Sequence, residues 1–216
     1  MASDARFEWI GGRLALDFVN TVTWRPPPEA LENERLRQYD DLVAWAREAG
    51  LLSADRARSL AGAAAAAPAA ARRALVQARD ARALLHAVFA PVARGERPET
   101  GLLDALDARV RGAWRAARVV ERGREFHRQW AATPDDLRQI MRPVLVDAGD
   151  LLTSDRLSIL RTCANERCGW LFLDTSRNGF RRWCDMRACG SRAKARRHYQ
   201  RVRASRGAHE EPARTG

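Results

Sequence analysis

All four cysteines of the chain lie at positions 163, 168, 184 and 189, and no other cysteine occurs in its 216 residues. Two close pairs around a short intervening segment are the spacing of a tetrahedral Cys₄ zinc site. Four thiolates must converge at ~2.3 Å on one ion, and each short loop delivers two of them. Two disulfides would need an oxidising compartment, and Met1-Ala-Ser-Asp-Ala-Arg6 carries no signal-peptide pattern. Iron–sulfur clusters use closer spacings. Neither pair is the C-x-x-C dithiol of redox enzymes. One structural zinc is therefore expected, held by Cys163, Cys168, Cys184 and Cys189, with no open position for a catalytic water.

The residues around this centre constrain its architecture. Trp170-Leu-Phe-Leu and Phe180-Arg-Arg-Trp183 flank Asp174–Gly179, and Asn178-Gly179 is a hairpin-turn signal. Trp170, Phe172, Phe180 and Trp183 are expected to form the small core of the module. From Ser191 to Ala204 nothing breaks a helix. Knuckle, hairpin and a helix whose first turn holds the last ligand make a treble clef. Ala195, Tyr199 and Val202 are expected to pack that helix onto the hairpin.

Charge is segregated in the same region. The net charge of the chain is +11, yet residues 1–155 hold 23 basic against 22 acidic side chains. Residues 156–216 hold 15 basic against 5 acidic. Between Arg177 and Arg206 Asp185 is the single acid. A polyanion partner for the C-terminal part follows, because an asymmetry this local is not a genome-wide preference for arginine. A charged, solvated helix is the plainer alternative.

The first 155 residues read as mostly helical. Phe7-Glu-Trp-Ile-Gly-Gly-Arg-Leu predicts a short strand and a Gly11-Gly12 turn, with Leu14, Leu16 and Phe18 suiting a strand or a helix start. Pro26-Pro-Pro28 opens a loop. Leu36, Tyr39, Leu42, Val43 and Ala46 recur at helical spacing until Gly50. Ser53 caps a further helix, and the alanine-rich stretch broken by Pro68 reads as two helix ends meeting. Helices are expected to about Arg94 and over 100–110, then a hairpin over 116–130. Thr133-Pro134 predicts the start of a last helix, kinked or broken at Pro143. The fold class is thus mainly α with small β-hairpins (α+β). A helical domain over 1–155 is followed by the zinc module over 156–206 and a disordered tail over 207–216.

Two stretches carry a family resemblance. Cys163-Ala-Asn-Glu-Arg-Cys168-Gly-Trp-Leu-Phe-Leu-Asp-Thr-Ser-Arg-Asn-Gly179, with Arg182-Trp-Cys184 and Cys189-Gly-Ser-Arg192, resembles the CGNR-type zinc finger. It departs at Ser191, where the family has Asn, and Ser can still cap the helix. Leu14-Ala-Leu-Asp-Phe-Val-Asn-Thr-Val-Thr-Trp-Arg25 is similar to the opening motif of the ABATE domain, which accompanies this finger in stress-induced transcription regulators.

The resemblance implies a bacterial transcription regulator whose N-terminal domain serves effector sensing, ligand binding or dimerisation. A one-component regulator, cytoplasmic and nucleoid-associated, is expected to bind double-stranded DNA as a homodimer, because one small module reads few base pairs. Its candidate DNA contacts are Arg177, Asn178, Arg181, Arg182, Arg192, Lys194, Arg196, Arg197 and Arg201. Asp17, Asn20, Thr21, Trp24 and Arg25 are candidates to line an effector pocket, or else to cap the local element. His86 and His127 are read as structural. No clustered carboxylates or nucleophile–base set support an enzyme. A zinc-stabilised module that binds protein or RNA, without reading DNA sequence, is the alternative.

Overall fold

The computed structural model describes residues 6–24, 33–131, 133 and 135–207, apart from the side chains of 197, 198 and 202–207. Arg25 and the tail expected after Gly207 lie outside the described residues. Seven α-helices and two antiparallel hairpins are described: α1 Leu14–Val19, α2 Tyr39–Glu48, α3 Ala54–Ala66, α4 Pro68–Ala93, α5 Thr100–Trp114, β1 Ala117–Arg122, β2 Glu125–Trp130, α6 Met141–Leu152, β3 Leu160–Thr162, β4 Leu171–Leu173 and α7 Ser191–Gly207. The fold is mainly helical with small hairpins, as its residue pattern implies.

Helix α4 is the spine. Ala71, Ala78, Ala81, Leu85, Val88 and Phe89 recur on its buried side, and the alanines let neighbouring helices approach closely. Pro68 stands at its first position, where a missing N–H costs nothing and the ring presets φ. Ser53 caps α3, its hydroxyl accepting the Arg56 N–H at 3.2 Å. Gly50 ends the α2 turn with a φ of 73°, a value that disfavours side chains bearing a Cβ. Trp45 of α2 meets Phe18 of α1 edge-on at 4.9 Å in the centre of the core.

Three local expectations are corrected. Gly11-Gly12 does not turn a hairpin: the Gly11 N–H donates to the Asp17 carboxylate at 2.7 Å and α1 follows at once. A Cβ on Gly11 would lie 2.7 Å from that of Leu16, so the small residue serves close packing rather than a hairpin. The last helix of the N-terminal region begins at Met141 rather than Thr133. Asp136 instead organises a run of turns, accepting the Arg138 N–H and pairing with Arg142. Pro143 falls in the first turn of α6, where its missing donor is harmless, so it breaks nothing.

The zinc module does not pair as its turn signal suggests. Leu171–Leu173 pairs with Leu160–Thr162, upstream of the first cysteine, and not with residues 180–183. The Ser176–Gly179 turn does form, with the Gly179 N–H donating to Ser176 O at 3.1 Å. Its return arm is no strand, and Phe180 is 85% exposed. The physical reason is burial on both sides of β4. Leu171 and Leu173 enter the helical core together with Leu160, while Trp170 and Phe172 enter the cysteine cluster. A strand buried on both faces reads as one apolar run, so its own residues give no sign of which segment pairs with it.

Candidate zinc centre and basic helix

The four cysteines are buried, and their sulfurs all lie within 4.8 Å of one another. Cys184 Sγ lies 3.6 Å from those of both Cys168 and Cys189. Four sulfurs at ~2.3 Å from one ion stand roughly 3.8 Å apart along a tetrahedral edge, so the cluster already has the dimensions of a zinc cage. The knuckle is shaped by its own backbone: Cys163 N donates to Trp170 O and Cys168 N to Asn165 O, each at 2.8 Å. Asn165, which the sequence reading did not single out, donates from its buried amide to Cys189 Sγ at 3.4 Å.

The thiols themselves call for a cation. Hydrogen bonds from Cys168 and Cys184 push the Cys163 pKa well below the ordinary thiol value. The same contacts and burial push those of Cys168 and Cys184 up. Four sulfurs this close cannot all ionise in a buried site unless a positive ion neutralises them. The donor set, all thiolate and closed, fits one structural zinc.

The arm from Cys184 to Cys189 leads into α7. Asp185 caps a single π-helical turn over Met186–Gly190, its carboxylate accepting the Ala188 N–H at 2.7 Å. Ser191 therefore does not cap the helix. Its backbone is already helical and its hydroxyl donates to Met186 O at 3.3 Å. Ala195 and Tyr199 do not pack on a hairpin, since residues 180–183 form none. Tyr199 is 73% exposed on α7, which puts an aromatic on the basic helix where none was expected to be accessible.

The predicted basic contacts separate into two kinds. Arg177, Asn178, Arg182, Arg192, Lys194 and Arg201 are exposed. Arg196 is half-buried and approaches Glu166 at 3.4 Å, and the Arg197 side chain lies outside the described ones. Arg181 differs from all of these. Its guanidinium donates to the carbonyls of Trp183 and Cys184 and lies 4.4 Å from the Phe172 ring centroid. It holds the zinc loop together rather than facing solvent.

The described residues among those proposed to line a pocket are gathered at the seam between the helical body and the finger. Asn20 is buried against β4, donating to Leu171 O at 2.8 Å and accepting from Leu171 N at 3.0 Å. Thr21 Oγ1 accepts from Arg82, itself paired with buried Glu34. Trp24 donates its backbone N–H to Cys168 O at 2.9 Å and stacks on His86 at 4.0 Å. A Cβ on Gly169 would lie 2.4 Å from Trp24 O, so this approach requires glycine. Asp17 holds the Gly11 loop, whose Gly11 carbonyl accepts the Leu173 N–H of β4 at 3.0 Å. The seam itself had no signal in the sequence, because its contacts join residues ~150 apart.

Comparison with known families agrees with this geometry. The profile of the CGNR zinc finger matches residues 160–202, from β3 into α7. The ABATE profile, described as a "Putative stress-induced transcription regulator", matches residues 12–155. The chain belongs to the ABATE family. Its helical body is the ABATE region, and a CGNR finger follows it. No curated protein matches the chain. Among the described residues no helix is long and apolar enough to cross a membrane.

Proposed function

We propose that this ABATE–CGNR protein is a one-component transcription regulator that binds double-stranded DNA through the finger. The observation that carries the reading is the position of the basic helix. α7 grows directly out of the turn holding Cys189 and carries Arg192, Lys194 and Arg201 exposed. Zinc thus fixes the base of the helix, and arginine forks suit both phosphates and a guanine edge. Arg177, Asn178 and Arg182 extend the same basic surface, while Arg196 and Arg197 continue it along α7.

A single small module reads few base pairs, so a homodimer on a two-part operator completes the reading. The ABATE region supplies dimerisation and the sensing of a small effector. The protein acts in the cytoplasm, on the nucleoid, and carries out no reaction of its own.

The test is binding of the zinc-loaded protein to its own upstream region and to a scrambled duplex at two salt concentrations. Tighter binding to the upstream duplex at both salts is expected, with affinity falling roughly 10³-fold or more from 50 to 200 mM. Equal affinity for both duplexes would reject sequence reading.

Phe180 and Tyr199 favour a second reading, in which the finger takes single-stranded RNA or DNA. Both rings are exposed beside cations, and unpaired bases stack on such rings. A single-stranded competitor that displaces the upstream duplex at equimolar concentration would favour it.

A further inference from the structure

The helical body contains a cleft of about 470 Å³ between α2, α4, α5 and α6, far from the cysteines in sequence. Its floor is apolar: Leu42, Leu137, Met141 and Leu145 are all buried there. Its rim is cationic, with Arg109 from α5, Arg138 from the turns before α6 and Arg142 from α6. Arg142 is anchored by Asp136 and by the Ala131 carbonyl. Arg109 and Arg138 form no ion pair among the described residues, and Asp80 is the one acid lining the cleft.

We infer that this cleft binds a small organic acid whose apolar body rests on the Leu42–Leu145 floor and whose carboxylate is taken by Arg109 and Arg138. The volume lies within the ~300–1,000 Å³ of small-molecule sites, and a mostly apolar lining with a few placed polar groups is their usual composition. Guanidinium forks match a carboxylate with two parallel hydrogen bonds. This deepens, and rests on, the effector-sensing part of the function proposed above.

Two elements connect the cleft to the finger. On α4, Asp80 and Ala81 line the cleft, and the next residues along are Arg82, which holds Thr21 and Glu34, and His86, which meets Trp24. On α6, Met141, Arg142 and Leu145 line it. Asp147, further along α6, accepts the Arg13 guanidinium and the Ala15 N–H at the start of α1. The far end of α1 leads to Asn20 and its grip on Leu171. A ligand that shifts α4 against α6 therefore acts on the seam carrying the zinc knuckle.

Calorimetric titration of the full-length, zinc-loaded protein with benzoate, 3-phenylpropionate and hexanoate tests the site without DNA, so a failure of DNA binding leaves the result readable. At least one acid is expected to bind one-to-one, and its uncharged alcohol at least roughly tenfold more weakly. R109A/R138A should weaken the acid by a similar factor. The melting temperature of the variant without ligand checks that its fold is intact. Absence of heat from all three acids at millimolar concentration overturns the inference. So does equal binding of acid and alcohol, or unchanged binding by a folded R109A/R138A.

Discussion

Asn20 and Leu171 form a closed pair across the seam: the side-chain amide of one donates to and accepts from the backbone of the other, at 2.8 and 3.0 Å. Both residues are buried, so no water can replace either bond. The outer edge of β4, which would otherwise be an unpaired strand edge inside the protein, is satisfied by the Asn20 side chain at Leu171 and by the Gly11 carbonyl, which accepts the Leu173 N–H at 3.0 Å.

Asn20→Ala leaves a buried N–H and a buried C=O without partners. A loss of roughly 2–6 kcal/mol is expected, on the basis of ~1–3 kcal/mol for each of the two unsatisfied buried groups. Asn20→Asp should also destabilise, because a carboxylate accepts the Leu171 N–H but offers the carbonyl nothing. Urea denaturation of both variants measures this. A change below ~1 kcal/mol in the alanine variant would mean that the seam is held elsewhere.

The two kinds of arginine predict two kinds of variant. Arg192→Ala and Lys194→Ala should leave the melting temperature within a degree or two while weakening duplex binding. Each should also flatten the salt dependence by about one unit of slope if it contacts one phosphate. Arg181→Ala should do the reverse, lowering stability and zinc retention, since its guanidinium satisfies the Trp183 and Cys184 carbonyls. If Arg181→Ala melts like the parent yet loses DNA, it belongs to the DNA contacts after all.

The cysteine spacing and the charge segregation were legible because both are local: two pairs, one short insert, one basic helix. Helix boundaries at Ser53, Pro68 and Gly50 were legible for the same reason, each resting on one residue's backbone chemistry. The pairing of β4 was not. Asn178-Gly179 is a hairpin signal judged from a few residues, whereas the partner of β4 was decided by which residues share its two buried faces. The roles of Asn20, Thr21 and Trp24 were hidden likewise, because polar residues beside an apolar stretch look alike whether they face a ligand or another part of the chain.

The shared core makes zinc a stabiliser of the whole molecule. Leu160, Leu171 and Leu173 are buried in the core of the helical body, against α1 and α4, yet β3 and β4 flank the knuckle carrying Cys163 and Cys168. Chelation, or Cys184→Ser, should therefore lower the melting temperature of the helical body in a single transition, because an ion bound only by the folded state stabilises all that folds with it. Differential scanning calorimetry with and without chelator reads this. Two separate transitions, with the larger one unmoved by zinc loss, would show that the body ignores the finger.

The last prediction concerns acid. Burial against Trp24 lowers the His86 pKa to about 4, from an ordinary value of 6.5, outweighing the contact with Gly169 O. The folded protein thus resists protonation that the unfolded chain accepts. Stability from this residue is complete above pH 6.5 and is lost as pH falls toward 4. The loss approaches about 3 kcal/mol at ~1.4 kcal/mol per pKa unit. Asp17 acts in the opposite direction. Its burial raises the pKa to about 6, so the ionised form strains the fold at neutral pH and the strain eases below pH 6. Wild-type stability alone would blur the two, so the comparison is with His86→Phe, which keeps a ring against Trp24 and cannot titrate. The variant should gain on the wild type steadily between pH 6.5 and 4 in urea denaturation. A stability difference that stays constant across that range would mean His86 titrates in the folded protein as it does in the open chain, and that the stack with Trp24 does not exclude water.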